Sequence, residues 1–113
     1  MRELTGPAAL ALARAQAARG TPLVLLDVRE PWETAIAAIA VPAATTRFVP
    51  MGELAGRVDE LDPAQPVVCI CHHGARSAQV VAFLERLGFA SAYNLAGGID
   101  AWAREVDPGL ARY

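Results

Sequence analysis

The stretch VVCICHHGARSAQVVAFLERLGF, residues 67–89, changes character within a few residues. Val67, Val68, Cys69 and Ile70 form a short unbroken apolar run, the pattern of a strand buried on both faces. From Ser77 to Leu87 apolar residues return at helical spacing, and Gly88 stands where that helix would stop. Between them lies CHHGARS, so Cys71 occupies a strand-to-helix corner. A loop wrapping into a helix N-terminus turns backbone N–H groups toward whatever sits above it. Surroundings of that kind favour thiolates, lowering thiol pKa values from about 8.5 to roughly 3.5–7.5. Gly74 suits such a loop because glycine adopts backbone shapes closed to other residues and leaves no side chain in the cradle. Arg76 brings charge with directional donors, and Ser77 is a candidate cap for the helix. Each residue also has a plainer reading: a packed cysteine, a turn glycine, a surface arginine. Their conjunction in one junction points to a reactive site.

Outward from this corner, the chain alternates strand and helix patterns. PLVLLDV (22–28) reads as a second fully buried strand, with Asp27 and Arg29 at its carboxyl end. Before it, Thr5, Gly6 and Pro7 open a helix whose buried stripe runs through Leu10, Ala13 and Ala17, with Gly20 as its stop. After it, EPWETAIAAI (30–39) starts a short helix at Pro31, with Trp32 near its beginning. Pro42 and Pro50 divide residues 40–61 into extended and turning pieces, and Gly52 to Leu61 contains a further short helix. FASAYNL (89–95) supplies another strand, and GGIDAWAREV (97–106) a closing helix. This alternation predicts a mainly parallel sheet covered on both faces. Such sheets hold ligands beyond the carboxyl ends of their strands, which makes Asp27, Arg29, Cys71 and the glycines near Gly97 neighbours.

Bulk properties narrow the function. A chain of 113 residues is expected to form a single domain, 1–113, with a core that needs neither disulfide nor structural metal. A net charge of −2 offers no broad attraction to nucleic acid or acidic membranes. Cys69 and Cys71 are the only cysteines. On a strand they point the same way with Cα atoms about 6.6 Å apart, so a disulfide between them would be strained. Free thiols in a reducing compartment are the simpler reading. The apolar stretch PAALALARAQAARG (7–20) is broken by Arg14 and preceded by Glu3, unlike a secretion signal. No run approaches bilayer-spanning length, and a cytoplasmic location is expected. Gly97 and Gly98 form no dinucleotide fingerprint, and no cofactor signature is present.

Three blocks, LLDVREPWE (25–33), CHHGARSAQVVAFLERLGF (71–89) and NLAGGIDAW (94–102), resemble in content and order those of single-domain rhodanese-like sulfurtransferases. The resemblance implies a three-layer α/β/α domain with a mainly parallel five-stranded sheet. It also implies a persulfide cycle. Cys71 would attack the outer sulfur of thiosulfate or a related donor, and a thiophilic acceptor (cyanide, a thiol or a protein thiol) would remove it. Backbone amides from His72, His73, Gly74, Ala75, Arg76 and Ser77 would stabilise the outer sulfur. Arg76 would orient the loop or bind the donor's sulfonate end. Asp27 would fix nearby loops, with Arg29 a candidate partner. Gly97, Gly98 and Trp102 would form a closing segment beside the active loop.

The sequence departs from the family pattern in two places. Many thiosulfate-using relatives carry arginine after the cysteine, where this chain has His72; a neutral imidazole attracts a dianion less than guanidinium does. His73 is either a substrate contact or a solvent-facing loop residue. The usual His/Gly-containing segment before FVPMGEL has Ala40 and Ala43, and it is lengthened around TTR, so Arg47 is either a pocket contact or a surface residue. Three other readings stand beside sulfur transfer. A cysteine-dependent phosphatase would want five residues between cysteine and arginine, whereas four separate Cys71 from Arg76. A sulfur carrier or binding module would serve a protein partner. A metal site would draw on Cys69, Cys71, His72 and His73, but Cys69 has little reach from a strand interior.

Overall fold

A computed structural model describes all residues 1–113. At its centre, β2 (Leu23–Asp27) and β4 (Val67–Ile70) lie parallel, paired from Val24 opposite Val67 to Asp27 opposite Ile70. Every residue of both strands is buried, which is why neither sequence alternates. Their side chains part to two cores. Val24, Leu26, Val67 and Cys69 pack on one face with Val80, Val81 and Leu84 of α4 (Ala75–Arg86) and Leu54 of α3 (Leu54–Arg57). Leu23, Leu25, Val68 and Ile70 pack on the other with Ala9 and Ala13 of α1 (Gly6–Ala18) and Ile99 and Trp102 of α5 (Gly98–Glu105). The result is the expected three layers around a sheet.

Three more strands complete the sheet, all parallel, in the order β1-β5-β4-β2-β3. β5 (Ala92–Leu95) follows the FASAYNL pattern. β3 (Ala44–Phe48) is a half-exposed edge strand, and β1 (Glu3–Leu4) pairs with β5, Glu3 opposite Asn94. A two-residue strand is too short to carry a periodic signal, so β1 is invisible until β5 is in place.

The helices differ from expectation at their ends, each for a local reason. Thr5 caps α1 as expected, its Oγ1 accepting from the Ala8 N–H at 3.2 Å. The buried face of α1 is Gly6, Ala9 and Ala13, while Ala17 is exposed. α2 (Pro31–Ile36) stops three residues early, because Ala37, Ile39 and Val41 insert alternately into the core and need an extended backbone. Residues 52–61 break into α3 flanked by single 3₁₀ turns at Met51–Glu53 and Val58–Glu60. α4 begins at Ala75 rather than Ser77, with Gly74 at its cap in the left-handed region, φ 108°. Ser77 is therefore inside the first turn and caps nothing.

Candidate active site

Cys71 directly follows β4, at the carboxyl edge of the sheet's centre. Its sulfur accepts the Gly74 N–H at 3.0 Å and lies 3.2 Å from the Ser77 hydroxyl. The positive φ of Gly74 rotates that N–H inward; a side chain in this conformation would cost roughly 1–2 kcal/mol. The first hydrogen bond of the following helix is Ala78 N–H to Gly74 O, 3.2 Å. The N–H groups of Ala75, Arg76 and Ser77 thus lie before any helical acceptor and face the loop end of the helix axis. Together they form an anion-binding nest beside the sulfur.

The nest is pinned from two neighbouring elements. Asn94 of β5, buried, donates from Nδ2 to Gly74 O at 3.0 Å and to Glu3 Oε2 at 3.1 Å, while its Oδ1 lies 2.5 Å from Ser77 Oγ. The serine carries one proton, so it serves either Asn94 or the sulfur at a given moment. From α5, Ile99 N–H donates to Cys71 O at 2.9 Å and Asp100 N–H to His72 O at 3.1 Å. Gly98 permits this approach, since a Cβ there would collide with the carbonyl oxygens of Cys71 and His72. The closing segment at Gly97 and Gly98 is therefore a backbone clamp on the loop.

A chain of ionic contacts runs along the loop's other side. Asp27 holds Arg29 through both carboxylate oxygens, Nε to Oδ1 at 2.9 Å and Nη2 to Oδ2 at 2.7 Å, with both side chains buried. Arg29 also donates to the carbonyls of Glu33 and Ala37. Burial opposes its charge, but the bonds to Asp27 and Tyr113 overcome that and hold its pKa above the ordinary value. Arg76 meets Glu33 in a two-point pair, Nη1 to Oε1 at 2.7 Å and Nη2 to Oε2 at 2.9 Å. Glu33 also accepts the Tyr113 hydroxyl at 2.6 Å and the Glu30 N–H at 3.1 Å. The Arg76 guanidinium, helped by these donors, pulls the Glu33 carboxyl down to about 2, and Glu33 in turn raises Arg76.

A rhodanese-like domain model matches residues 10–105. The chain belongs to the rhodanese-like family. Among relatives, a protein named sulfurtransferase from Allochromatium vinosum is 39% identical over 89 residues, covering 79% of each chain. A rhodanese-like/PpiC domain-containing chloroplast protein of Arabidopsis thaliana is 34% identical over 93 residues. This chain spans 79% of its length in that match but only 30% of the Arabidopsis protein. The crystal structure of a rhodanese-like domain protein from Staphylococcus aureus superposes with a TM-score of 0.76 at 28% identity, covering 100% of this chain and 99% of that one.

Within this rhodanese-like domain the sequence candidates separate. Cys71, His72, His73, Gly74, Ala75, Arg76 and Ser77 form the loop and the first turn of α4. Asp27 and Arg29 meet each other beside it. Arg76 meets Glu33 at two points and has no other side-chain partner. Arg47 goes elsewhere: it lies on edge strand β3 and pairs with Glu60 at 2.7 Å on the surface. His72 stacks on His73, ring centroids 4.0 Å apart, and on Tyr113 at 3.9 Å. Those rings face one another rather than converging with Cys69, which is fully buried in the sheet. Burial, with a smaller contribution from Cys71, pushes the Cys69 thiol up to about 12. No group of three or more His, Cys, Asp or Glu side chains is arranged to hold a metal. Sequence reasoning missed Glu33, Asn94 and Tyr113. Glu33 had one available signal, its place in the LLDVREPWE block. Asn94 had the same kind of signal, as the first residue of the NLAGGIDAW block; Tyr113 had none, because the partners of its hydroxyl lie 80 and 84 residues away.

Proposed function

We propose that this domain, a single unit over residues 1–113, moves sulfane sulfur through a persulfide on Cys71. The carrying observation is the Gly74 N–H donated to Cys71 Sγ at 3.0 Å, at the mouth of a helix whose first-turn amides have no helical acceptor. In the first half-reaction the Cys71 thiolate attacks the outer sulfur of thiosulfate or a related donor, and the donor's remainder, sulfite for thiosulfate, leaves with the electron pair of the broken S–S bond. In the second, a thiophilic acceptor (cyanide, a thiol or a protein thiol) attacks the outer sulfur of Cys71–S–S⁻ and the thiolate returns. The charge stays on sulfur held by fixed N–H dipoles, so no general base has to be poised beside it.

Burial shapes this chemistry. Cys71 is only 1% exposed, which suits a small approaching atom. A bound sulfur extends the reactive centre outward by about 2 Å, one S–S bond length. An acceptor therefore meets the persulfide before it could meet the thiolate. The tight four-residue spacing between Cys71 and Arg76 favours one sulfur atom over a tetrahedral phosphate in the cradle. A carrier that hands sulfur to a protein thiol uses the same persulfide and differs only in its acceptor. Both cysteines are free thiols, which suits a reducing compartment, and we propose the cytoplasm as the place of the reaction.

The test is intact mass after incubating reduced protein with thiosulfate, then with an alkyl persulfide. Addition of one sulfur atom, absent in Cys71→Ser and reversed by excess thiol, is expected. No addition from thiosulfate, mercaptopyruvate or a persulfide would remove the proposal.

A further inference from the structure

Residues 106–113 form no regular element, yet they cross back to the site. Arg112 pairs with Asp100 at 3.0 Å, and Asp100 is the residue whose N–H holds His72 O. One residue on, Tyr113 lays its ring flat against His72, centroids 3.9 Å apart and planes within 10°. Trp32 meets the same ring edge-on at 6.0 Å. The phenol uses both of its hydrogen-bonding capacities: it donates to Glu33 Oε2 at 2.6 Å and accepts from Arg29 Nη1 at 3.0 Å. One oxygen thus joins the Asp27–Arg29 pair to the Glu33–Arg76 pair. Without it the two pairs meet only through the long Arg29 Nη1 bond to the Glu33 carbonyl, 3.4 Å.

We propose that Tyr113 is a positioning residue for the Cys71 loop, acting through its hydroxyl on Glu33 and Arg29 and through its ring on His72. It touches neither sulfur nor any reacting atom. Arg76 sits in the first turn of α4, whose amides form the nest. The direction in which Glu33 holds Arg76 therefore sets the tilt of that turn. His72 follows the nucleophile directly, so a restrained imidazole restrains the peptide beside Cys71. Tyr113 packs only at the margin of the core on the α1 and α5 side, so removing its hydroxyl leaves that packing in place. Loosening either contact widens the distribution of nest geometries, and misplacement of even about 1 Å can lower a rate by as much as a hundredfold.

This inference rests on Cys71 as the sulfur-carrying nucleophile. It is tested in the full chain with Tyr113→Phe, which keeps the stack and loses the hydroxyl, and Tyr113→Leu, which loses both. With an alkyl persulfide as donor and a small thiol as acceptor, kcat should fall about tenfold in Tyr113→Phe and further in Tyr113→Leu, with KM within about twofold. In Tyr113→Phe, which keeps the ring on the core, the melting temperature should move by less than about 4 °C. The ring-current shift of the His72 imidazole resonances should persist in Tyr113→Phe and shrink in Tyr113→Leu to the part contributed by the stacked His73 ring. Unchanged kinetics in both variants, or a change confined to KM, would overturn the inference. If the parent protein transfers no sulfur at all, the function proposed above fails instead, and hydrogen exchange decides the positioning role. An acceleration of about tenfold at the Gly74 amide in Tyr113→Leu, with β4 amides unchanged, upholds it; unchanged exchange at Gly74 overturns it.

Discussion

Arg76 and Glu33 lie 43 residues apart, yet their side chains meet edge to edge at 2.7 and 2.9 Å, tying the first turn of α4 to α2. The carboxylate is buried while the guanidinium is about one-third exposed, so the pair is partly screened.

That pair sets an acid limit on stability. Glu33 is depressed to about 2 from an ordinary 4.5, so its contribution is fully present above pH about 4.5 and is lost as pH falls toward about 2. After discounting for the exposed guanidinium, Glu33→Gln should cost about 2 kcal/mol at pH 6. Urea unfolding of parent and variant across this range checks it. The gap should close by pH 2; an equally wide gap there would disprove the assignment.

Gly98→Ala should damage the loop without touching a reactive side chain. The new methyl must displace the carbonyl oxygens of Cys71 and His72, and the residue sits at φ 62°. A loss of about 2–3 kcal/mol is expected, with persulfide formation falling in the surviving folded protein. Unchanged melting and loading would show that α5 does not clamp the loop.

Asn94→Leu removes the side chain that fastens Gly74 O and Ser77 Oγ from β5. The half-buried Gly74 carbonyl loses its donor and the buried Ser77 hydroxyl is left with the sulfur alone, at about 1–3 kcal/mol. Ser77→Ala should be milder in stability but should slow sulfur loading, since it deletes the hydroxyl 3.2 Å from Sγ. Equal loading rates in Ser77→Ala and parent would dismiss that hydroxyl from the nest.

The two cysteines should behave oppositely. Cys69→Ala leaves a small cavity worth about 1 kcal/mol and keeps sulfur transfer within about twofold, because a fully buried thiol raised to about 12 supplies no thiolate near neutrality. Cys71→Ala should abolish persulfide formation. Intact mass of each variant after donor treatment separates the two. A persulfide retained in Cys71→Ala would refute the choice of nucleophile.

Donor choice follows from charge. Arg29 spends its donors on Asp27, two carbonyls and Tyr113, and the Arg76 charge is compensated by Glu33, so neither guanidinium beside the loop offers a sulfonate an uncompensated charge. An alkyl persulfide should load Cys71 at least about tenfold faster than thiosulfate at equal concentration and pH 7.5, from the weaker attraction of a compensated site for a dianion. Stopped-flow loading with the two donors compares them directly; faster thiosulfate loading would contradict the compensated-charge picture.

Local pattern determined much of this protein. The unbroken apolar runs of β2 and β4 and the helix after Cys71 were legible because burial on both faces and one-sided burial write different periodicities. Gly74 was legible because few residues suit a left-handed turn at a helix entrance. Tertiary structure alone decided the rest. β1 exists only against β5, α2 stops where Ala37 and Ile39 find the core, and Arg47 turns from the pocket to Glu60. Asn94, Glu33 and Tyr113 acquired their roles from partners distant in the chain. A hydrogen bond between side chains far apart in sequence leaves no period or spacing behind, because it depends on where the sheet and helices finally place both ends.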